Sequence, residues 1–555
     1  MGKARLTPVI KIDEEKCVNC HACIAACPVK YCNNGAGEKV MINHDLCIGC
    51  GNCIQACTHQ ARVLVDDSER FFISLDKGEK IIAMVAPAVA SNFPDRYLNL
   101  NGYLKSRGVR AVFDVSFGAE LTVFSYVKYI KEKQPSFCIA QPCPAIVTYI
   151  EIYHPELIPY LAPAESPMLH TIKMIREYYP QYREYKIAVL SPCIAKRREF
   201  DETGMGDYNV TFAALYKYLE QRNVNLASFK AEKYDNPPAE RAVTFSMPGG
   251  LLITAERHRP GIGRVTRKIE GVHTIYPYLA DVARTINIGG GRNGELPLLV
   301  DCLNCEKGCN GGTGTRNVET PMDKLEAPIW KRRSEVEAKY GGSKSTANNQ
   351  KKVFKVLSRY WKKGLYDRSY RDLSGNDSLK IPDDAELTAV YKSLRKYGEQ
   401  DIYDCNTCGY GTCRGMAIAI FNGLNRPENC HHYGLSLIEE DRETIDKLNQ
   451  NLGSQVEHSL DFMKGINDLI ENLNEQIVRQ ASAIEESSAA IEEMMATINN
   501  TAVMAQKRQS AIRDLVDNVK EGRASMQKTI EAVGSISKGV EGVGATIKVI
   551  GGIAA

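Results

Sequence analysis

Sixteen of the 19 cysteines in this chain fall into spacings that suit metal–sulfur chemistry. Cys17, Cys20, Cys23 and Cys27 are separated by two, two and three residues, and Cys47, Cys50, Cys53 and Cys57 repeat the pattern. Three closely spaced thiolates grip one face of an iron–sulfur cubane, whereas zinc prefers two separated pairs or mixed Cys/His sets. Three further segments carry Cys143 in QPCP, Cys193 in SPCIAK, and Cys302, Cys305 and Cys309 in DCLNCEKGCNGG. Cys143, Cys193, Cys305 and Cys309 supply four thiolates from separate loops, enough for a third cubane. A fourth set is Cys405, Cys408 and Cys413 followed by Cys430 seventeen residues on. Cys32, Cys138 and Cys302 are left over, and an unligated cysteine ordinarily packs as a small hydrophobe.

The N-terminal pattern resembles a bacterial two-cluster ferredoxin domain. That resemblance implies one [4Fe–4S] cluster on Cys17, Cys20, Cys23 and Cys57, and another on Cys47, Cys50, Cys53 and Cys27. The three middle segments, in this order, look like the catalytic domain of [FeFe] hydrogenases over about residues 80–315. The resemblance implies an H-cluster: a [4Fe–4S] cubane on Cys143, Cys193, Cys305 and Cys309, with Cys309 bridging to a diiron azadithiolate subsite carrying CO and CN ligands. It implies a cyanide partner in Lys196, an outer proton-path carboxylate in Glu199, and pocket-lining positions at Pro87, Ala88, Met168, Pro192, Gly249 and Gly250. The third constellation resembles the small CNxCGYxxC iron–sulfur module, which gives three further [4Fe–4S] clusters in all. The substrates expected are H2 and protons, with a ferredoxin or another redox partner.

Departures from the family pattern are informative. The position before Cys143, where family enzymes place a proton-relaying cysteine, is Pro142. Methionines that flank the diiron site are replaced by Ser191 and Leu303, and the glutamates expected after FGAEL are Ser125 and Tyr126. An interrupted path predicts low turnover, or a substitute relay through Glu256, Glu306 or Cys302. A sensory [FeFe] hydrogenase is therefore expected, with a metabolic, ferredoxin-linked hydrogenase bearing a helical oligomerisation tail as the alternative.

The cysteine groups divide the chain: nine in 17–57, six in 138–309, four in 405–430. Between them, β-branched runs (IIAMVAP, AVFDVSFG, KIAVLSPC, LPLLVDC) alternate with amphipathic stretches, as in an α/β layer architecture. GGSKSTANNQ, residues 341–350, reads as a surface loop or linker. The fold class expected is multidomain α/β. It comprises a two-cluster ferredoxin-like domain (1–78), a hydrogenase-like H-cluster domain (79–330), a linker or helical extension (331–395), an iron–sulfur module (396–435) and a long α-helical coiled coil (436–555).

That last segment has an apolar or small residue every seven positions from Met463 through Ile498 and Ile512 to Ile547, with a mixed companion seam. Such a stripe is covered by pairing, so a homodimer is expected. QASAIEESSAAIEEMMA (480–496) resembles the first methylation helix of chemotaxis receptors, with Glu486 and Glu493 the modifiable members, and a downstream signalling protein is implied. The sequence ends at IGGIAA, before the hairpin tip such receptors carry. With 70 basic and 67 acidic side chains, nucleic acid and membrane are not expected partners. Clustered thiols, no signal-peptide pattern and no bilayer-length apolar run predict a cytoplasmic protein.

Overall fold

The computed structural model describes residues 4–288, 295–340, 346–480 and 487–553. The chain divides into two units, Met1–Glu439 and Glu440–Ala555.

In the first unit, the run IIAMV forms a strand, Ile81–Val85, buried on both faces, as a strand in the middle of a parallel sheet must be. It lies between Val112–Asp114 and Lys186–Ser191, and Tyr208–Thr211 completes a four-stranded, all-parallel sheet. A second parallel sheet orders Thr266–Glu270, Leu299–Leu303 and Cys138–Ile139. Open parallel sheets place ligands beyond the carboxyl ends of their strands. Pro87 and Ala88 follow Val85, Pro192 and Cys193 follow Ser191, Cys143 follows Ile139, and Cys305 follows Leu303. The loops that carry the cysteine motifs are therefore the loops this topology reserves for binding.

Asp114 ends its strand and caps the helix Val115–Lys133 by accepting from Ser116 N at 2.9 Å. Its other oxygen pairs with Arg332, a buried cation on the helix Met322–Lys339. Residues 331–395, expected as a linker or helical extension, are woven into this unit: Val336, Val353, Leu357 and Tyr366 pack in the core around the four-stranded sheet. The stretch 341–350 is likewise not a loop throughout, because Thr346–Tyr360 is helical. Val353 and Leu357, one turn apart, give that helix an apolar edge to bury, which outweighs the weak helix propensity of TANNQ.

Asp301 sits in the middle of the strand Leu299–Leu303 and is 4% exposed, with Leu252 N at 3.2 Å on one oxygen. Burial pushes its carboxyl up to about 7. A raised acid binds its proton more tightly folded than unfolded, so its contribution falls as pH rises from about 4 to about 7. Asp301→Asn keeps the acceptor and should raise the thermal midpoint at pH 8 while leaving it nearly unchanged at pH 4; equal midpoints at pH 8 would contradict this.

The N-terminal residues form two small antiparallel pairs, Ile10–Ile12 with Arg62–Leu64 and Asn33–Asn34 with Met41–Ile42. Each cysteine run turns into a one-turn helix, Ala22–Ala25 or Asn52–Gln55, out of left-handed residues: Asn19 and His21 in the first run, Gly49 and Gly51 in the second. Gly51 has a second constraint, because a Cβ there would stand 2.5 Å from the Thr313 side chain of the catalytic domain.

The described residues of the second unit are helical but for a turn at Gln480. Residues 440–479 continue the helix His431–Arg479, and Ser487–Ile553 form another. Seam residues are open to solvent in the single chain, with Ile498 51% and Val519 52% exposed. Glu485 and Glu486 lie outside the described residues, as does Ile484 of the heptad series.

Candidate iron–sulfur and H-cluster sites

Three cavities take up twelve of the sixteen cysteines. One is lined by Cys17, Cys20, Cys23 and Cys57, and the next by Cys27, Cys47, Cys50 and Cys53. The fourth cysteine of each run thus stands with the first three of the other. A third cavity gathers Cys405, Cys408, Cys413 and Cys430 beside His431 and His432. The catalytic set is mutually close as well: Cys309 lies within electrostatic reach of Cys305, Cys143, Cys193 and Lys196. Burial pushes the Cys193 thiol up to about 11 and Cys305 up to about 12. Thiols whose ionisation is opposed by their surroundings, as at Cys193, Cys305 and Cys309, become thiolates together on a cationic centre, which is what a cubane supplies.

Beside Cys309 opens a cavity of about 440 Å³ whose walls include Pro87, Ala88, Pro142, Met168, Pro192, Lys196, Ser246 and Leu303. The expected pocket positions Pro87, Ala88, Met168, Pro192 and Lys196 meet there. Gly249 and Gly250 do not line it. A Cβ on Gly250 would stand 2.1 Å from Thr244 O, so this glycine lets the helix Gly250–His258 close on the turn that presents Phe245 and Ser246 to the cavity. Sequence reasoning passed over Ser246. Its Oγ is buried with no hydrogen-bond partner among the described residues, a donor aimed into a space that fits a ligand-bearing metal group.

Lys196 is 5% exposed. Its Nζ donates to Glu199 Oε2 at 2.6 Å and to Pro142 O at 3.2 Å. Glu199, 1% exposed, also accepts from Ser166 Oγ at 2.9 Å and from Arg368 at 2.8 Å. Burial raises the Glu199 carboxyl, but the Lys196 and Arg368 charges outweigh it and hold the group below the usual range. Arg368 comes from the stretch expected to be a linker, and no local sequence signal points to it.

Ser191 does not line the cavity. Its hydroxyl holds the loop by donating to Asn209 Oδ1 at 2.7 Å, with Cys193 O at 3.0 Å. Ser125 meets His170 at 3.1 Å and accepts from Trp361 at 2.9 Å, and Tyr126 OH accepts from Gln141 N at 3.3 Å. Of the substitute relays, Glu256 is tied to Gly261 N and Gly263 N, Glu306 is exposed, and Cys302 donates to Ala140 O at 3.4 Å. None of the three lines the cavity.

A buried cation serves the first cluster. Arg62, 4% exposed, donates from Nη2 to Cys23 Sγ at 3.1 Å and to Val40 O at 3.0 Å. Burial raises the Cys23 thiol and Arg62 counteracts it. Arg62→Met should leave more uncompensated negative charge on the reduced cluster, lowering its midpoint in an EPR-monitored redox titration; an unmoved midpoint at full iron content would argue against the role.

Residues 79–313 match the family of the iron only hydrogenase large subunit, C-terminal domain. Residues 9–59 match the 4Fe-4S dicluster domain, and residues 403–432 a small FeS cluster family. The chain is 29% identical over 287 residues to the periplasmic [Fe] hydrogenase large subunit of Nitratidesulfovibrio vulgaris, covering 45% of this chain and 67% of that protein. It is 27% identical over 290 residues to iron hydrogenase 1 of Clostridium pasteurianum, covering 45% of this chain and 50% of that protein. An [FeFe]-hydrogenase structure from Chlamydomonas reinhardtii overlaps 56% of this chain and 99% of that chain, with 17% identity and a TM-score of 0.40.

Residues 79–313 are an [FeFe]-hydrogenase catalytic domain behind a dicluster domain. The cofactors of the chain are accordingly an H-cluster and additional [4Fe–4S] clusters. Among the described residues no helix is long and apolar enough to cross a membrane.

Proposed function

We propose that the chain is a hydrogen-sensing [FeFe] hydrogenase, which splits or forms H2 slowly and reports the redox outcome through its C-terminal helices. The observation that carries the reading is Pro142, which stands in the wall of the cavity shared by Lys196 and Cys309 and can neither give nor take a proton.

Cys143, Cys193, Cys305 and Cys309 would hold the cubane, and Cys309 the bridge. When bound, the H-cluster supplies an open iron and a pendant amine, between which H2 divides heterolytically. The chain contributes the surroundings. Pro87, Ala88, Met168 and Leu303 keep the cavity apolar and dry, which strengthens every charge interaction inside it. Lys196 presents a cation fixed by Pro142 O and Glu199, suited to an anionic ligand. Glu199, held by Lys196 and Arg368, is the carboxylate we assign to the outer proton path.

Clusters held by the dicluster cysteines and by Cys405, Cys408, Cys413 and Cys430 would carry electrons, and the last set lies directly before the helix that begins at His431. A second copy would cover the seam of Ile498, Ile512 and Val519 in a coiled-coil homodimer. Glu493, with Glu486, would be open to methylation, and a downstream signalling protein would read the helices. The reading places the protein in the cytoplasm, where its thiols stay reduced.

Infrared spectroscopy of the matured chain under H2 and under argon is the test. Bands of CO and CN that change with H2, at low turnover, are expected. Absence of those bands would overturn the hydrogen chemistry and leave a cluster-bearing redox protein. High turnover with a soluble ferredoxin would favour the metabolic alternative, which the exposed Cys20 and Cys405 edges of two clusters make chemically reasonable.

A further inference from the structure

The cavity that gathers Cys27, Cys47, Cys50 and Cys53 holds a fifth thiol. Cys32 is 2% exposed and lines the same cavity. Its Sγ lies 3.7 Å from Cys27 Sγ, within reach of an S–H···S hydrogen bond, and Cys47 lies within electrostatic reach of it. Asn33 Nδ2 donates to Cys32 Sγ at 3.4 Å, and Asn33 Oδ1 in turn takes Arg62 Nη2 at 3.3 Å. A chain of donors, guanidinium to amide to thiol, therefore runs through the buried interior and ends on the sulfurs expected to hold a cluster. A cysteine that merely filled space would meet carbon alone; this one also meets the Cys27 sulfur and the Asn33 amide.

The site also has a particular place in the molecule. On one side, Tyr276 lies within electrostatic reach of Cys50 and of Cys143 and Cys305 in the catalytic set. On the other, Lys30 lies within reach of both Cys27 and Cys408, donates to Gly409 O at 2.8 Å, and belongs to the same short turn as Cys32. Tyr410, stacked on Tyr31 at 5.8 Å, lies within reach of Cys32 and Cys408. The cluster of Cys27, Cys47, Cys50 and Cys53 thus stands between the catalytic domain and the module that precedes the long helix.

We propose that Cys32 is a tuning residue rather than a ligand: its thiol donates a hydrogen bond to Cys27 and raises the reduction potential of the cluster that Cys27 would hold. Reduction adds an electron to an already anionic cluster, and hydrogen bonds to the sulfurs disperse that charge and favour the reduced form. Cys32 then sets how long an electron rests at the junction between the catalytic domain and the Fe–S module. This goes beyond the hydrogen-sensing reading and needs only the dicluster domain.

The test compares the full chain with Cys32→Ala and Cys32→Ser by iron and acid-labile sulfide content and by EPR-monitored redox titration, without hydrogen. Cys32→Ala should keep its iron. One midpoint should move down enough to change the oxidised-to-reduced ratio about tenfold at fixed poise, which is about 59 mV for one electron. Cys32→Ser, which keeps a donor, should recover part of the shift. Unchanged midpoints in Cys32→Ala would reduce Cys32 to packing, and loss of one cubane's iron would make it a ligand; either result overturns the proposal.

Discussion

Arg257→Met is expected to cost the first unit about 3–5 kcal/mol, the usual penalty for removing one partner from a buried ion pair. Arg257 pairs with both Glu120, 1% exposed, and Glu240, and tethers the helix Gly250–His258 to Val115–Lys133. Methionine fills much of the same volume but leaves Glu120 with only the backbone N–H groups of Glu240 and Ala242, at 2.9 Å and 3.0 Å. The pH dependence should reverse in sign. Burial raises the Glu120 carboxyl, but Arg257 more than offsets this and holds it below its usual range. In the wild-type chain the pair therefore stabilises above about pH 4.5 and its contribution fades only in stronger acid. Without Arg257, burial is opposed only by those two backbone N–H groups, and stability should instead fall as pH rises toward neutrality. Thermal scans at a fixed rate should show a drop of roughly 10 °C at pH 7, partly recovered when Glu120→Gln removes the stranded charge. A drop under about 2 °C would mean the triad contributes little.

Lys196→Met is the change expected to damage the chemistry most while sparing the fold. Glu199 would still be held by Arg368 and Ser166, so the loop keeps two of its three anchors. The cavity, however, loses its cation. Removal of one such preorganised charge commonly costs about 10²–10³-fold in turnover, and a fall of that size in H2 oxidation by the matured chain is expected, with weakened CO and CN bands. The EPR signal of the cubane and the iron content should persist, which separates loss of the diiron group from loss of the protein. Lys196→Arg should not rescue, because a planar five-donor fork is a different shape from a compact ammonium. Full activity in Lys196→Met would remove Lys196 from the site.

Much of this was legible in the sequence because cysteine spacing is a local code. Runs separated by two, two and three residues prescribe a turn and one helical turn, and the structure forms both at Ala22–Ala25 and Asn52–Gln55. The strands at Ile81–Val85, Lys186–Ser191 and Leu299–Leu303 were equally visible as apolar β-branched runs. Arg368 and Arg332 were not. Each is an ordinary basic residue in a polar stretch, and its meaning comes from Glu199 or Asp114, 169 and 218 positions earlier in the chain. Cys32 fits no spacing rule, and only the folding of Lys30–Cys32 against the second run brings its sulfur to Cys27. Gly249 and Gly250 were expected in the pocket wall, but Gly250 closes on Thr244 and Gly249 on the Lys268 side chain.

Gly51 carries a consequence for rates. It stands beside Cys50 in the dicluster domain and faces Thr313, just after the expected ligand Cys309, with no room for a methyl group. Electron tunnelling between two cofactors decays exponentially with the gap separating them, so the absence of a side chain at this one position acts as a spacer of minimum thickness. Any larger residue would hold the two cubanes apart and slow the exchange between them, even if every cluster were assembled and every ligand in place.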